Sequence, residues 1–131
     1  MKRILLLFIS VTFICCPWYH EAFFVTNKSN GVIYVYLSYS DSLPQYPELT
    51  MKGINKGGYI ATRTILPDST ESLLSLPSPK LRYDKVNLFV VTESTMKKYI
   101  WKRIWHDQMY EKKITFTQKD LDEINWHYVY W

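Results

Sequence analysis

Cysteine is nearly absent from this chain. The 131 residues hold two, Cys15 and Cys16, side by side, so no disulfide framework can staple the domain that follows. A cystine between such neighbours would be strained. Glycine is scarce as well, at four. There is no low-complexity segment, no internal repeat, and no Gly-x-Ser-x-Gly elbow to present a nucleophilic serine. The three histidines, His20, His106 and His127, are scattered, without HExxH spacing or a cysteine pair after residue 16, which leaves no zinc-type ligand set. His106, beside Asp107 near the end of a helical stretch, is explained by the helix dipole. Asp120, Asp122 and Glu123 stand too close along the chain to flank a glycosidic bond, and read as capping and solvation of a short helix. The expectation is no catalytic residue, no metal and no cofactor.

A strong excess of one charge is also missing. The formal net charge is +4. Lys2 and Arg3 belong to an N-terminal leader, and without them 14 basic residues face 12 acidic ones, too small an excess to argue for nucleic acid. The apolar segment Ile4 to Ile14 covers eleven residues, short of the roughly 20 needed to span a bilayer as a helix.

What is present begins with that segment. Two basic residues, an apolar run within the roughly 7 to 15 residues of a secretory h-region, and then a cysteine pair follow the order of a signal peptide. The stretch Met1 to Cys16 resembles a bacterial lipoprotein leader, in which a peptidase cuts before a cysteine whose sulfur then carries lipid. Cys16 follows a small residue, Cys15, as such sites prefer, whereas Cys15 follows the bulky Ile14. Cys16 is therefore the expected lipidation site, with acyl chains such as palmitate. The resemblance implies export to the cell envelope, at the outer membrane or facing the periplasm. Residues 1–16 are then the leader, 17–21 a tether, and 22–131 a single domain, large enough for one core.

Aromatic residues make up 17% of the chain, which together with so little glycine suits pleated strands with aromatic cross-strand pairs. Strands are expected at Ala22–Thr26, Val32–Tyr39, Tyr59–Leu66, Glu71–Leu76, Val86–Thr92, Lys112–Phe116 and Trp126–Trp131. The Asn27–Gly31 turn offers residues that tolerate positive φ. In Val32–Tyr39 the alternation assigns Ile33, Val35, Leu37 and Tyr39 to the core face. Val86–Thr92 is apolar on both faces, as for a strand inside a sheet. Ser40–Gly58 reads as a long loop, and Pro77 and Pro79 stop the strand before them. One helix is expected from a cap at Ser94 or Thr95 to about His106, with Met96, Ile100 and Ile104 on its core-facing stripe. Thr117 caps a further short turn of helix. The predicted class is all-β, mainly β, an Ig-like β-sandwich of about seven strands with one crossing α-helix between the fifth and sixth.

The segments AFFVTNKSNGVIYVYLSY and ITFTQKDLDEINWHYVYW together resemble small uncharacterised lipoproteins of gut Bacteroidetes, which pair an early N-x-S-N/D turn and a Tyr-rich strand with a closing DL…NW…Y segment. The resemblance implies a mostly β fold and an envelope location, and brings no known activity. It also implies two O-glycosylation candidates, Ser42 in Asp41-Ser42-Leu43 and Ser69 in Asp68-Ser69-Thr70, both in expected loops. Asn27-Lys28-Ser29 matches the N-glycosylation pattern but is a plain turn in a bacterium.

For ligand or partner contact the candidates are Trp101 and Trp105 beside Lys98, Lys102 and Arg103. Amphipathic rings next to cations suit a membrane interface, a sugar face or a partner protein; the alternative is that both indoles cover the sheet. Tyr34, Tyr36, Trp126, Tyr128 and Tyr130 form either an aromatic platform or the filling of a sandwich. The principal reading is a non-enzymatic envelope lipoprotein, an interaction or structural module held to the membrane by lipid on Cys16, with an envelope protein or glycan as partner and no nucleic acid. A glycan- or peptide-binding domain using exposed aromatics is the alternative, and an enzyme is third.

Overall fold

The structure is a computed structural model that describes residues 20–45, 59–76 and 80–131. The leader with Cys16, residues 17–19 of the tether, residues 46–58 of the long loop and residues 77–79 lie outside the described residues.

The chain is mainly β. Among the described residues seven strands, β1 (His20–Asn27), β2 (Ile33–Ser38), β3 (Tyr59–Ile65), β4 (Thr70–Leu76), β5 (Lys85–Thr92), β6 (Lys112–Thr117) and β7 (His127–Tyr130), accompany three short helices, α1 (Glu93–Lys98), α2 (Trp101–His106) and α3 (Gln118–Glu123). The first strand starts at His20, inside the stretch read as a tether. One sheet has the order β4-β1-β7 and the other β3-β2-β5-β6. All pairings are antiparallel except β1 with β7.

This order differs from the expected Ig-like arrangement, in which the first, second, fifth and fourth strands share a sheet and the third, sixth and seventh form the other. Here β1 and β2 lie in different sheets, because the turn between them crosses the sandwich instead of closing a hairpin. Its hinge is Asn27, fully buried at the end of β1. The Asn27 amide donates to the Gly31 carbonyl at 2.7 Å and the Ile65 carbonyl at 3.1 Å, while its oxygen accepts from the Ser29 amide and hydroxyl at 3.0 and 2.7 Å. All four hydrogen-bonding positions of the side chain are used. The turn therefore needs no left-handed residue: positive φ occurs instead at Asp68, Gln108, Asn125 and Trp126. The same bonds leave no amide free for an N-linked glycan at Asn27.

Between the sheets lies one core, formed by Phe23, Val25, Leu73, Trp126 and Tyr130 from one side and Ile33, Val35, Leu37, Ala61, Ile65, Val86, Leu88, Val90 and Phe116 from the other. Alternation in β2 works as expected, with Ile33, Val35 and Leu37 buried and Tyr39 packed against them. In β5, residues Val86 to Val91 are all buried, since β2 and β6 flank it, the core covers one face and a helical layer covers the other. Edge strands β3 and β4 carry the exposed Arg63 and Glu71 across from Val35 and Val25; charges on an edge strand discourage edge-to-edge pairing.

At the other end of the chain Thr117 caps α3 as expected. Its hydroxyl accepts from the Asp120 amide and the Asp120 carboxylate accepts from the Thr117 amide, a reciprocal capping box. Helix α3 unwinds through Asn125 and Trp126, both at positive φ. A bulky residue there is uncommon, and Trp126 is held by its buried indole, which donates to Asp122 at 2.9 Å.

Candidate functional site

The helical segment after β5 departs from the single helix expected. Tyr99 and Ile100 are both extended, with ψ near 150° (147° and 149°), and they separate α1 from α2. Thr92 occupies the N-cap position of α1 rather than Ser94 or Thr95, without a side-chain cap bond. The break has a packing reason. An unbroken helix would place Met96, Ile100 and Ile104 in one stripe and turn Trp101 well away from it, since successive residues are about 100° apart. Breaking at 99–100 brings the Trp101 ring onto Tyr36, with centroids 5.0 Å apart, while Ile104 remains fully buried. An indole is half-buried in exchange for a smaller side chain: Ile100 is left 72% exposed.

A second cluster thus forms on the outer face of the four-stranded sheet. Tyr36, Leu43, Phe89, Val91 and Ile104 are buried in it, with Tyr34, Met96, Tyr99, Trp101, Trp105, Met109 and Tyr110 packed around them. The loop after β2 closes one side. Leu43 inserts, its amide donating to the Gln108 side-chain oxygen at 2.7 Å, and the Trp101 indole donates to the Gln45 carbonyl at 3.0 Å. The same Gln108 donates to the Trp105 carbonyl at 2.6 Å, joining loop and helix.

Trp101 and Trp105 are both half-buried, as sheet cover. Lys98, Lys102 and Arg103 are exposed. Lys98 and Arg103 lie 5.2 and 5.0 Å from the Tyr99 ring centroid, in cation–π range. Lys97 pairs with Glu93 at 2.7 Å, which holds its ammonium pKa above the usual value. The His106 hydrogen bond at 2.7 Å, with Arg103 at 3.4 Å, keeps the Asp107 carboxyl below the usual range. Lys98 and Lys102 face no carboxylate among the described residues. The result is a knuckle at residues 97–103, with a bare apolar tip at Ile100 ringed by cations.

The aromatic platform is not assembled. Tyr36, Trp126 and Tyr130 are buried, Tyr128 packs on Phe116, and Tyr34 belongs to the helical layer. Burial also raises the Tyr130 phenol pKa. Ser42 is exposed, but its neighbours are engaged: Leu43 is buried, and Asp41 meets Lys85 at 3.0 Å and Lys113 at 3.4 Å. Hydrogen bonds from Lys85 and then Lys113 lower the Asp41 pKa. Behind it, fully buried Asn87 donates to the Ser40 carbonyl at 2.9 Å and accepts from Thr115 at 2.6 Å. Ser69 is half-buried beside Asp68, with its carbonyl accepting from the Asn27 backbone N–H.

One constellation escaped the sequence reading. Thr26 lies 2.7 Å from the His127 ring nitrogen Nε2 and 2.6 Å from the Thr70 hydroxyl, on the outer face of the three-stranded sheet. Separations of 44 and 101 residues hid it, and only strand register brings the three together. A hydroxyl beside an imidazole is the start of a nucleophile–base pair. No carboxylate among the described residues orients His127, and Thr26 is 8% exposed, so the row ties three strands together.

Among the described residues no group of three or more His, Cys, Asp or Glu side chains could hold a metal, and no helix is long and apolar enough to cross a membrane. No protein-family model matches this chain, and neither do the curated proteins or the solved structures with which it was compared.

Proposed function

We propose that this protein is a cell-envelope lipoprotein, exported by residues 1–16, lipidated on Cys16, and acting as a non-enzymatic interaction or structural module at the membrane. The observation that carries the proposal is the order Lys2-Arg3, apolar Ile4 to Ile14, Cys15-Cys16 ahead of a β domain that contains no other cysteine. The resemblance to small Bacteroidetes lipoproteins leads to the same placement. A single acyl chain gives marginal membrane binding and several hold stably, so anchoring is the first physical role of a multiply acylated Cys16. The module reading draws support from two features of the domain. Among the described residues the large aromatic rings are mostly spent on packing, which weighs against sugar stacking, and no carboxylate orients the Thr26–His127 pair.

The test is the intact mass of the protein from the membrane fraction of its own host, beside a Cys16→Ser variant. A mass equal to residues 16–131 plus diacylglycerol and acyl groups, lost in the variant, supports the proposal. An unlipidated product cut elsewhere refutes it.

A further inference from the structure

We propose that the 97–103 knuckle docks the domain onto the anionic headgroups of the bilayer, with Ile100 entering the interface and Lys98, Lys102 and Arg103 contacting lipid phosphates. The inference deepens the anchored reading, and rests on it for the choice of membrane. Three observations carry it. First, Ile100 is the most exposed of the large aliphatic side chains described, at 72%, and it stands at a helix break, a convex apolar tip. Such a tip suits insertion into a deformable surface, whereas a protein partner would need a matching pocket and a sugar would need a flat open ring. The Trp101 ring is covered on one side by Tyr36, and its N–H is already donated to the Gln45 carbonyl.

Second, the charges match. Lys98 and Lys102 have no acidic partner among the described residues, and Tyr99 between Lys98 and Arg103 is the amphipathic ring expected at headgroup depth. From Glu93 to Asp107 four basic residues, Lys97, Lys98, Lys102 and Arg103, outnumber two acidic ones.

Third, the tether is short. Asn27 at the end of β1 meets the beginning of β2 through Gly31 and the end of β3 through Ile65, so the start of β1 lies at the opposite end of the sandwich. Four residue steps from Cys16 to His20 span at most about 14 Å. An anchor at position 16 keeps the whole domain, and the knuckle with it, at high effective concentration near the bilayer.

The experiment uses the full chain with a Cys15→Ser/Cys16→Ser background, an Ile100→Cys substitution and an environment-sensitive fluorophore on that thiol. Vesicles are phosphatidylcholine alone or an equimolar mixture with phosphatidylglycerol. The expected result is a blue shift and quenching by shallow spin-labelled lipid in the anionic vesicles only, reversed by high salt. The same label at Leu66→Cys, an exposed apolar residue outside the knuckle, stays in water. Each basic residue at an anionic surface contributes a factor of about five, so Lys98→Gln with Lys102→Gln reduces the docked-to-undocked ratio roughly thirtyfold. An unshifted Ile100→Cys label in anionic vesicles overturns the proposal, as does an equal shift in neutral vesicles, or a shift that needs an added envelope protein instead of lipid. Because this background carries no lipid at position 16, failure of the anchor appears in the intact mass and failure of the knuckle in the fluorescence.

Discussion

Replacing Asn27 by alanine removes the clip that joins the two sheets where β1 passes into β2. Four hydrogen bonds disappear. The bond to the Ile65 carbonyl is fully buried, and an unsatisfied buried polar group costs about 1–3 kcal/mol. The bonds to Gly31 and from Ser29 are partly solvated, and Gly31 keeps a second donor in the Ser29 hydroxyl at 3.2 Å, so each adds about 0.5 kcal/mol. The expected loss is about 3 kcal/mol, a large share of the roughly 5–15 kcal/mol that stabilises a domain. In urea, followed by tryptophan fluorescence on the full chain, a slope of about 1.5 kcal/mol per molar turns this into a midpoint shift of about 2 M. Asn27→Asp is expected to be worse at neutral pH, because a carboxylate oxygen would face the Gly31 and Ile65 carbonyls. Its penalty grows as pH rises above about 3.9, the unfolded carboxyl value, and shrinks in acid, where a protonated carboxyl can donate once. Ser29→Ala, which spares the buried bond, should cost less than about 1 kcal/mol. A shift below about 0.5 M for Asn27→Ala would show that the sheets are held without this clip, and the reasoning would be wrong.

In the helical layer, Ile104→Ala should destabilise by about 3 kcal/mol through a cavity under α2, whereas Ile100→Ser, at an exposed tip, should leave the urea midpoint unchanged; equal effects would contradict the helix break. Thr117→Ala removes the cap of α3 and should cost about 1 kcal/mol by the same assay. Asp41, Asp107 and Asp120 have folded pKa values lowered by hydrogen bonds from Lys85, from His106 and from the Thr117 backbone, respectively. Their contribution is present above the unfolded value of 3.8 and is lost as pH falls through the lower folded values. Acid titration of stability should therefore fall below about pH 4, and Asp41→Asn should flatten the curve; an unchanged curve would exclude the Lys85–Asp41–Lys113 cluster as a source.

A helical stripe that the fold does not follow explains why one helix is expected where two form. Met96, Ile100 and Ile104 satisfy a helical stripe, and propensity offers no glycine or proline at 99–100 to interrupt it. The interruption comes from Tyr36, a residue more than 60 positions earlier, whose ring offers Trp101 a better surface than a continuous helix can reach. The candidate pair Trp101 and Trp105 was legible as an aromatic–cation pattern. That the indoles cover the sheet while Ile100 takes the exposed position was not.

Local chemistry was enough to determine the seven strands, the inward set Ile33, Val35 and Leu37, the doubly buried β5 and the Thr117 cap, because each depends on alternation or on hydrogen bonds within a few residues. The sharing of strands between sheets, the Asn27 clip, the Thr26–His127–Thr70 row and the break at Tyr99–Ile100 were decided only by tertiary structure. An apolar face specifies that it must be covered; which distant residue covers it depends on register and packing across the whole fold.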